Sequence, residues 1–231
     1  FLKTLEGIRY CLACGVRVGL RFTINKYNFT DIAGIFDLVE KEGIQRVCFY
    51  HLVYSGRASA MVKDDLTAAQ ARNAMELIFE RSIRLGNKDK DTEVLTVDNH
   101  ADGVYLYLRL KKENPEKAQK VLELLKVNGG NKSGIGIANI DNLGFVHPDQ
   151  FWRQHSLGNI KTKGFSAIWS DENNALLSNL RNRLLLLKGK CGRCIFKQVC
   201  GGNFRARAEA VYGDIWQEDP ACYLSEEEVT L

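Results

Sequence analysis

Residues 16–54, VRVGLRFTINKYNFTDIAGIFDLVEKEGIQRVCFYHLVY, switch between two hydrophobic periods, and that switch decides the fold class. Val16, Val18, Leu20, Phe22 and Ile24 recur every second residue, as in a half-buried strand. Ile32, Ile35, Phe36 and Val39 then recur at helical spacing, with Thr30 as the cap and Gly43 as the stop. Residues 45–54 read as a strand again. Working outward, Leu2, Leu5, Ile8 and Leu12 mark an amphipathic helix stopped by Gly15. Downstream, Thr67 and Gln70 form a capping box for a helix running to about Leu85, and residues 92–100, TEVLTVDNH, form a third strand. Helix and strand alternate to about residue 98, the signature of parallel βα units.

The pattern then changes. Residues 113–130, ENPEKAQKVLELLKVNGG, predict a helix capped by Asn114, with Pro115 in its first position and glycines at its end. Residues 134–147, GIGIANIDNLGFVH, predict a β-hairpin around Asp141 to Gly144. Residues 165–187 are helix-rich and lead into the cysteines. The class is therefore α/β followed by α+β, with the change falling across residues 103–128. Residues 1–127 read as half of an α/β domain with its connecting helix, and 128–231 as a small cysteine-dependent module.

The 231 residues are 45% hydrophobic and 26% charged, with three prolines, which suits an ordered globular chain. No run reaches the roughly 18 apolar residues of a membrane span, and no basic-then-apolar leader opens the chain, so the expectation is a cytoplasmic protein without a membrane partner. Phe1 stands inside the opening helix pattern, which suggests a further N-terminal part. A net charge of +4 is too small to argue for nucleic acid. The charge is uneven, however. Residues 173–208 carry no acid but hold Arg181, Arg183, Lys188, Lys190, Arg193, Lys197, Arg205 and Arg207. A solvated basic face and a site compensating bound negative charge are both open readings.

Cys191, Cys194, Cys200 and Cys222, spaced C-x2-C-x5-C-x21-C, can converge on a metal or cluster. A disulfide framework fits poorly with a cytosolic chain. Zinc and an iron–sulfur cluster both suit the spacing, and either would carry negative charge with four thiolates. Cys11 and Cys14 read as small apolar side chains of the first helix, and Cys48 as core.

The stretches CGRCIFKQVCGG (191–202), FRARAEAVYGD (204–214), DPACYL (219–224), GIGIANIDNLGFVHPDQFW (134–152) and EVLTVDNHADG (93–103) together resemble the radical S-adenosylmethionine (SAM) enzymes with a SPASM-type C-terminal extension. The resemblance covers essentially the whole chain in order. It implies the C-terminal half of a partial (βα)6 barrel followed by a SPASM-like domain whose auxiliary 4Fe-4S cluster sits on Cys191, Cys194, Cys200 and Cys222. Members with a second auxiliary cluster have a cysteine after the hairpin, where this chain has His147, Pro148 and Asp149. The motif C-x3-C-x2-C, which binds the SAM-cleaving cluster, does not occur in this sequence, so the chain alone is expected to be inactive.

Within the family the chain most resembles members of heme d1 biosynthesis, a denitrification function. The resemblance implies removal of propionate side chains of didecarboxysiroheme, with replacement by oxo groups, through a 5′-deoxyadenosyl radical. Its cofactors would be SAM and a second 4Fe-4S cluster in the full-length enzyme, and its electron donor a ferredoxin or flavodoxin. A related tetrapyrrole enzyme, a siroheme or iron-coproporphyrin decarboxylase, is the nearest alternative; a non-catalytic zinc- or cluster-binding module is the other.

Ligands of parallel α/β folds meet the C-terminal ends of strands. That rule selects Thr23 and Asn25 as SAM contacts, with a polar turn as the alternative. It selects Arg21 and Arg57 to pair substrate carboxylates, Tyr54, Asp98, Asn99 and Asp102 as further substrate contacts, and His51 and His100 as catalytic groups. Arg205 and Arg207 are expected to favour a polyanionic substrate. Phe151, Trp152, Trp169 and Trp216 read as packing.

Overall fold

The computed structural model describes residues 1–88 and 92–230. They fall into two compact units, Phe1–Leu52 with Lys63–Asn99, and Val53–Val62 with the chain from His100 onward.

The first unit holds helices α1 (Leu2–Ala13), α2 (Ile32–Glu42) and α3 (Ala68–Gly86) and strands β1 (Gly19–Thr23), β2 (Arg46–Tyr50) and β3 (Glu93–Val97). The strands pair in parallel in the order β1-β2-β3, with Phe22 opposite Phe49 and Phe49 opposite Thr96. Val47, Cys48 and Phe49 of the middle strand are all buried, as a strand covered on both faces requires. Phe36 of α2 stacks on Phe49 with centroids 5.2 Å apart, so Leu20, Phe22, Val47 and Phe49 define the helix-covered face. Arg21, Thr23, Cys48 and Tyr50 therefore lie on the opposite face.

The capping box of α3 is formed as the sequence requires: Thr67 Oγ1 accepts from Gln70 N, and Gln70 Oε1 accepts from Thr67 N. Gly43 ends α2 in the left-handed conformation. Two expectations change. Thr30 does not cap α2, because Asn25 and Asn28 form a side-chain-closed turn that runs into a 3-10 turn at Phe29–Asp31, and α2 begins only at Ile32. Cys11 and Cys14 do not pack as apolar side chains; both are exposed, on a helix that buries no residue.

The second unit opens with α4 (Ala101–Glu113) and α5 (Pro115–Asn128), joined at Asn114, whose side chain caps α5 through Lys117 N at 3.0 Å. Strands β4 (Asn139–Ile140), β5 (Phe145–His147) and β6 (Gly158–Asn159) make a small antiparallel sheet. The expected hairpin is its β4–β5 pair. Short helices follow: α6 (Phe165–Trp169), α7 (Ala175–Arg181), α8 (Gly189–Arg193), α9 (Lys197–Cys200), α10 (Arg205–Tyr212) and α11 (Glu226–Thr230). Val146, Leu157, Ile168 and Leu177 form one core cluster, and Trp152, Leu180 and Ala206 another. Among the described residues no helix is long and apolar enough to cross a membrane.

Candidate metal centre

The second unit brings the four C-terminal cysteines to one cavity. Cys191 sits inside α8, Cys194 caps that helix, Cys200 is the last residue of α9, and Cys222 follows the turn at Asp219. All four line the same cavity, with Ala101 and Val104 of α4 and Leu224 completing its wall. Backbone amides reach Cys194, Cys200 and Cys222, and the Arg205 guanidinium approaches Cys191 Sγ at 3.9 Å. Phe196 N donates to Cys194 Sγ at 3.3 Å, and the amides of Gly202 and Leu224 favour the thiolates of Cys200 and Cys222. In each case the donor is two residues beyond the cysteine, the product of a turn that folds back over its own sulfur.

Burial dominates the titration of these thiols. It raises Cys191 and Cys194 above the ordinary thiol value, Cys222 to about 12, and Cys200 further still, with the neighbouring cysteines adding to the rise at Cys200. Four desolvated thiolates are therefore stable together only when a cationic centre takes their charge, and its binding must release protons. The donor set fits an iron–sulfur cluster: four sulfurs, one apolar cavity, N–H donors toward sulfur.

The loop 200–202 is held from two sides. Asn131 N donates to Cys200 O at 3.2 Å, and a Cβ on Gly130 would lie 2.1 Å from the Cys200 carbonyl. Gly130 also has a φ of 68°, so only glycine suits the position. On the other side the Arg183 guanidinium donates to Gly201 O at 2.7 Å, to Asn131 O and to Leu180 O. Burial lowers the Arg183 pKa and Cys200 pulls it back up.

Arg205 and Arg207 differ from the sequence expectation. They are 1% and 0% exposed, so they form neither a solvated face nor a surface for substrate. Arg207 makes a bidentate pair with buried Asp219, at 2.9 and 2.8 Å. The sequence shows where positive charge is dense but not that backbone carbonyls and one carboxylate fold around it.

In the first unit Arg21 is exposed, with its guanidinium 5.1 Å from the Tyr50 ring centroid. Thr23 shares that sheet face, and its carbonyl accepts from Asn28 Nδ2. Asn25 Oδ1 accepts from Tyr27 N, so that oxygen serves the local turn. His51 is buried, with Nδ1 3.5 Å from Asn99 Nδ2, and its backbone N–H donates to Val97 O. Asp98 takes a left-handed φ of 68° at the end of the strand loop. In the second unit Tyr54 is buried, Arg57 is exposed, and Asp102 is buried with Tyr223 Oη donating to it at 2.8 Å. That bond ties α4 to the segment that carries Cys222.

His100 stacks on Phe204 with centroids 5.9 Å apart, and its backbone N–H donates to Asn203 Oδ1 at 2.9 Å. Burial, then the Arg207 charge, lowers its pKa to about 4, against smaller opposition from Asp102 and Asp219. The imidazole is thus neutral near pH 7, a form that accepts a proton or ligates iron. The unfolded state takes up a proton first as pH falls below about 6.5. Stability from neutral His100 is complete above that value and is lost between there and about pH 4. His100→Gln should flatten this part of the stability profile, measured by urea unfolding at pH 7 and pH 5.

The sequence reading gave no role to Asn203, Asp219 or Gly130. Gly130 and Asp219 stood in stretches quoted above and Asn203 between two of them, but the function of each depends on what lies opposite in the fold. Trp152 is fully buried, donates from Nε1 to Glu209 at 2.7 Å, and serves as packing.

No family model matches the chain. It is 54% identical to an Fe-coproporphyrin III synthase of Methanosarcina barkeri, over 99% of this chain and 58% of that protein. It is 40% identical to a pre-heme d1 synthase of Dinoroseobacter shibae, over 96% of this chain and 55% of that protein. An AdoMet-dependent heme synthase of Methanosarcina barkeri is 29% identical over 96% of this chain and 60% of its own length. These homologues are radical SAM enzymes. The chain spans a little over half the length of these relatives. Its fold is similar to that of SuiB of Streptococcus suis bound to precursor peptide SuiA, with a TM-score of 0.67 at 16% identity over 96% of this chain and 48% of that one. Identity is higher to the first of these relatives than to the second, whereas the sequence resemblance had favoured the heme d1 branch.

Proposed function

We propose that this chain is the part of a radical SAM tetrapyrrole enzyme that carries an auxiliary 4Fe-4S cluster on Cys191, Cys194, Cys200 and Cys222. The observation that carries the reading is the convergence of these four cysteines on one buried cavity. Among the described residues no group of three or more His, Cys, Asp or Glu is placed to hold a metal ion, so the reading rests on the shared cavity. On this reading residues 1–127 are part of the SAM barrel with its connecting helix, and 128–231 are the SPASM-like domain.

The substrate is an iron tetrapyrrole with carboxylate side chains, in keeping with the names of the relatives. SAM at an iron–sulfur centre supplies the hydrogen-abstracting radical when bound. Arg21 presents a guanidinium to a carboxylate from the sheet face opposite Phe36, with Thr23 beside it for SAM, and exposed Arg57 offers a second guanidinium. Neutral His100 accepts a proton or ligates the substrate iron. Formation of Fe-coproporphyrin III is favoured by the 54% identity; formation of pre-heme d1, with loss of propionates, is the second reading and rests on the loop 97–103.

Anaerobic reconstitution should give about four irons and four sulfides per chain, and Cys222→Ala should lose them. One zinc without sulfide would replace the cluster reading with a zinc module. Product analysis with the full-length protein separates the two tetrapyrrole readings.

A further inference from the structure

Two buried cations lie behind the cavity cysteines, Arg205 beside Cys191 and Arg183 at the carbonyl after Cys200, while Lys190 and Lys197 line the cavity itself; among the described residues neither arginine is hydrogen-bonded to a carboxylate. Arg183 is 6% exposed and Arg205 1% exposed, and among the described residues neither forms an ion pair with Asp or Glu. Their acceptors are backbone carbonyls: Gly201, Leu180 and Asn131 for Arg183; Ile215, Gln217 and Gly202 for Arg205. Carbonyls satisfy N–H groups but carry no net charge, and a buried charge without a counter-charge is strongly unfavourable. Arg207 shows the contrast, since Asp219 neutralises it at 0% exposure for both side chains. Arg205 also directs Nη2 toward Cys191 Sγ at 3.9 Å, and its Nε is buried with no hydrogen-bond partner. Arg183 holds the carbonyl that follows Cys200.

We propose that Arg183 and Arg205 are the built-in counter-charges of the anionic centre bound by the four cysteines, Arg205 on the Cys191 side and Arg183 on the Cys200 side, and that they set its reduction potential. The proposal rests on the cluster reading above. A cubane held by four thiolates is anionic and gains a further negative charge on reduction. Fixed guanidiniums in a low-dielectric wall favour the reduced state, and hydrogen bonds and charge near the sulfurs tune such centres. The acid-free stretch 173–208 thereby gains a physical reason: a carboxylate among these residues would cancel the field.

The test uses the chain with Arg205→Gln, Arg205→Lys, Arg183→Gln and Arg183→Lys, each reconstituted without oxygen. Iron and sulfide are counted, circular dichroism checks the fold, and an EPR-monitored redox titration gives the midpoint. Each Gln variant should shift the one-electron reduction equilibrium about tenfold toward the oxidised form, a fall of about 59 mV, while the Lys variants stay near the parent. Fully loaded Gln variants with the parent midpoint would overturn the proposal. So would Lys variants that lose the cluster as completely as the Gln variants, since hydrogen-bond geometry rather than charge would then be the requirement. If the parent chain binds one zinc and no sulfide, the cluster reading fails by itself. The counter-charge role then stands if the Gln variants bind zinc about tenfold more weakly, and falls if their affinity is unchanged.

Discussion

Asp219→Ala is expected to destabilise the second unit by about 3–5 kcal/mol, because it strips the paired carboxylate from a guanidinium that has no access to water. Arg207 and Asp219 are both 0% exposed and joined by two short N–H···O bonds. The same carboxylate accepts from Phe204 N at 2.8 Å and Ala221 N at 2.9 Å, so it also joins the start of α10 to the turn before Cys222. A loss of this size is a large share of the roughly 5–15 kcal/mol that keeps a domain folded. Urea unfolding followed by far-UV circular dichroism measures it. Arg207→Met combined with Asp219→Leu should recover part of the loss, since the Arg207 charge is then no longer buried unpaired; the two amides remain unmet and Arg205 loses a nearby carboxylate, which keeps the recovery incomplete.

The pair also gives acid sensitivity a sign. Burial pushes the Asp219 carboxyl up, but Arg207, its hydrogen bonds and Arg205 outweigh burial and hold it below its ordinary value. A depressed carboxyl contributes stability that is complete above an unfolded value of about 3.9 and is lost as pH falls through the lower folded value. Acid unfolding of the Asp219→Ala variant should lack that component.

Gly130→Ala is expected to cost most of the bound iron and sulfide while leaving the first unit intact. Two penalties combine at this position. A left-handed φ costs alanine about 1–2 kcal/mol, and the new methyl would fall 2.1 Å from the Cys200 carbonyl carbon and oxygen. Backbone cannot swing aside as a side-chain end can, so either Cys200 leaves the cavity or residues 129–131 leave Arg183. Gly129→Ala is the control. Its φ is 67°, but its methyl would meet only the flexible end of Lys132. It should therefore lose roughly the conformational energy alone and keep its cluster. Metal and sulfide analysis of the two variants side by side checks this, and equal retention would show that the loop tolerates the clash.

The parallel units were legible because period and caps agreed: β2 is apolar throughout, α2 repeats every three to four residues, and Thr67 with Gln70 closes a box that needs no tertiary partner. Residues governed by longer-range contacts were not. Helix α4 went unread although Ala101, Val104, Tyr105 and Leu108 keep helical spacing, because the polar run 98–102 reads as loop and Asp102 becomes helical only with Tyr223 to satisfy it. Thr30 lost its cap to a turn closed by Asn25 and Asn28. The three arginines are the sharpest case. Formal charge suggests surface, and nothing local in the sequence separates Arg181, half in solvent beside Trp169, from Arg183, which lies two residues away in the interior. Spacing singled out the four cysteines that line one cavity; the frame around them, from Gly130 to Asp219, was not legible.

Helix α1 has a consequence of a different kind. Its twelve residues bury no side chain, and its Arg9–Glu42 pair to α2 lies at the surface, where such pairs contribute little. Few contacts have to break for it to open, whereas opening β2 would expose Val47, Cys48 and Phe49 together. The first unit therefore has two tiers of cooperativity: a helix held by few contacts, and a sheet that comes apart only as a whole.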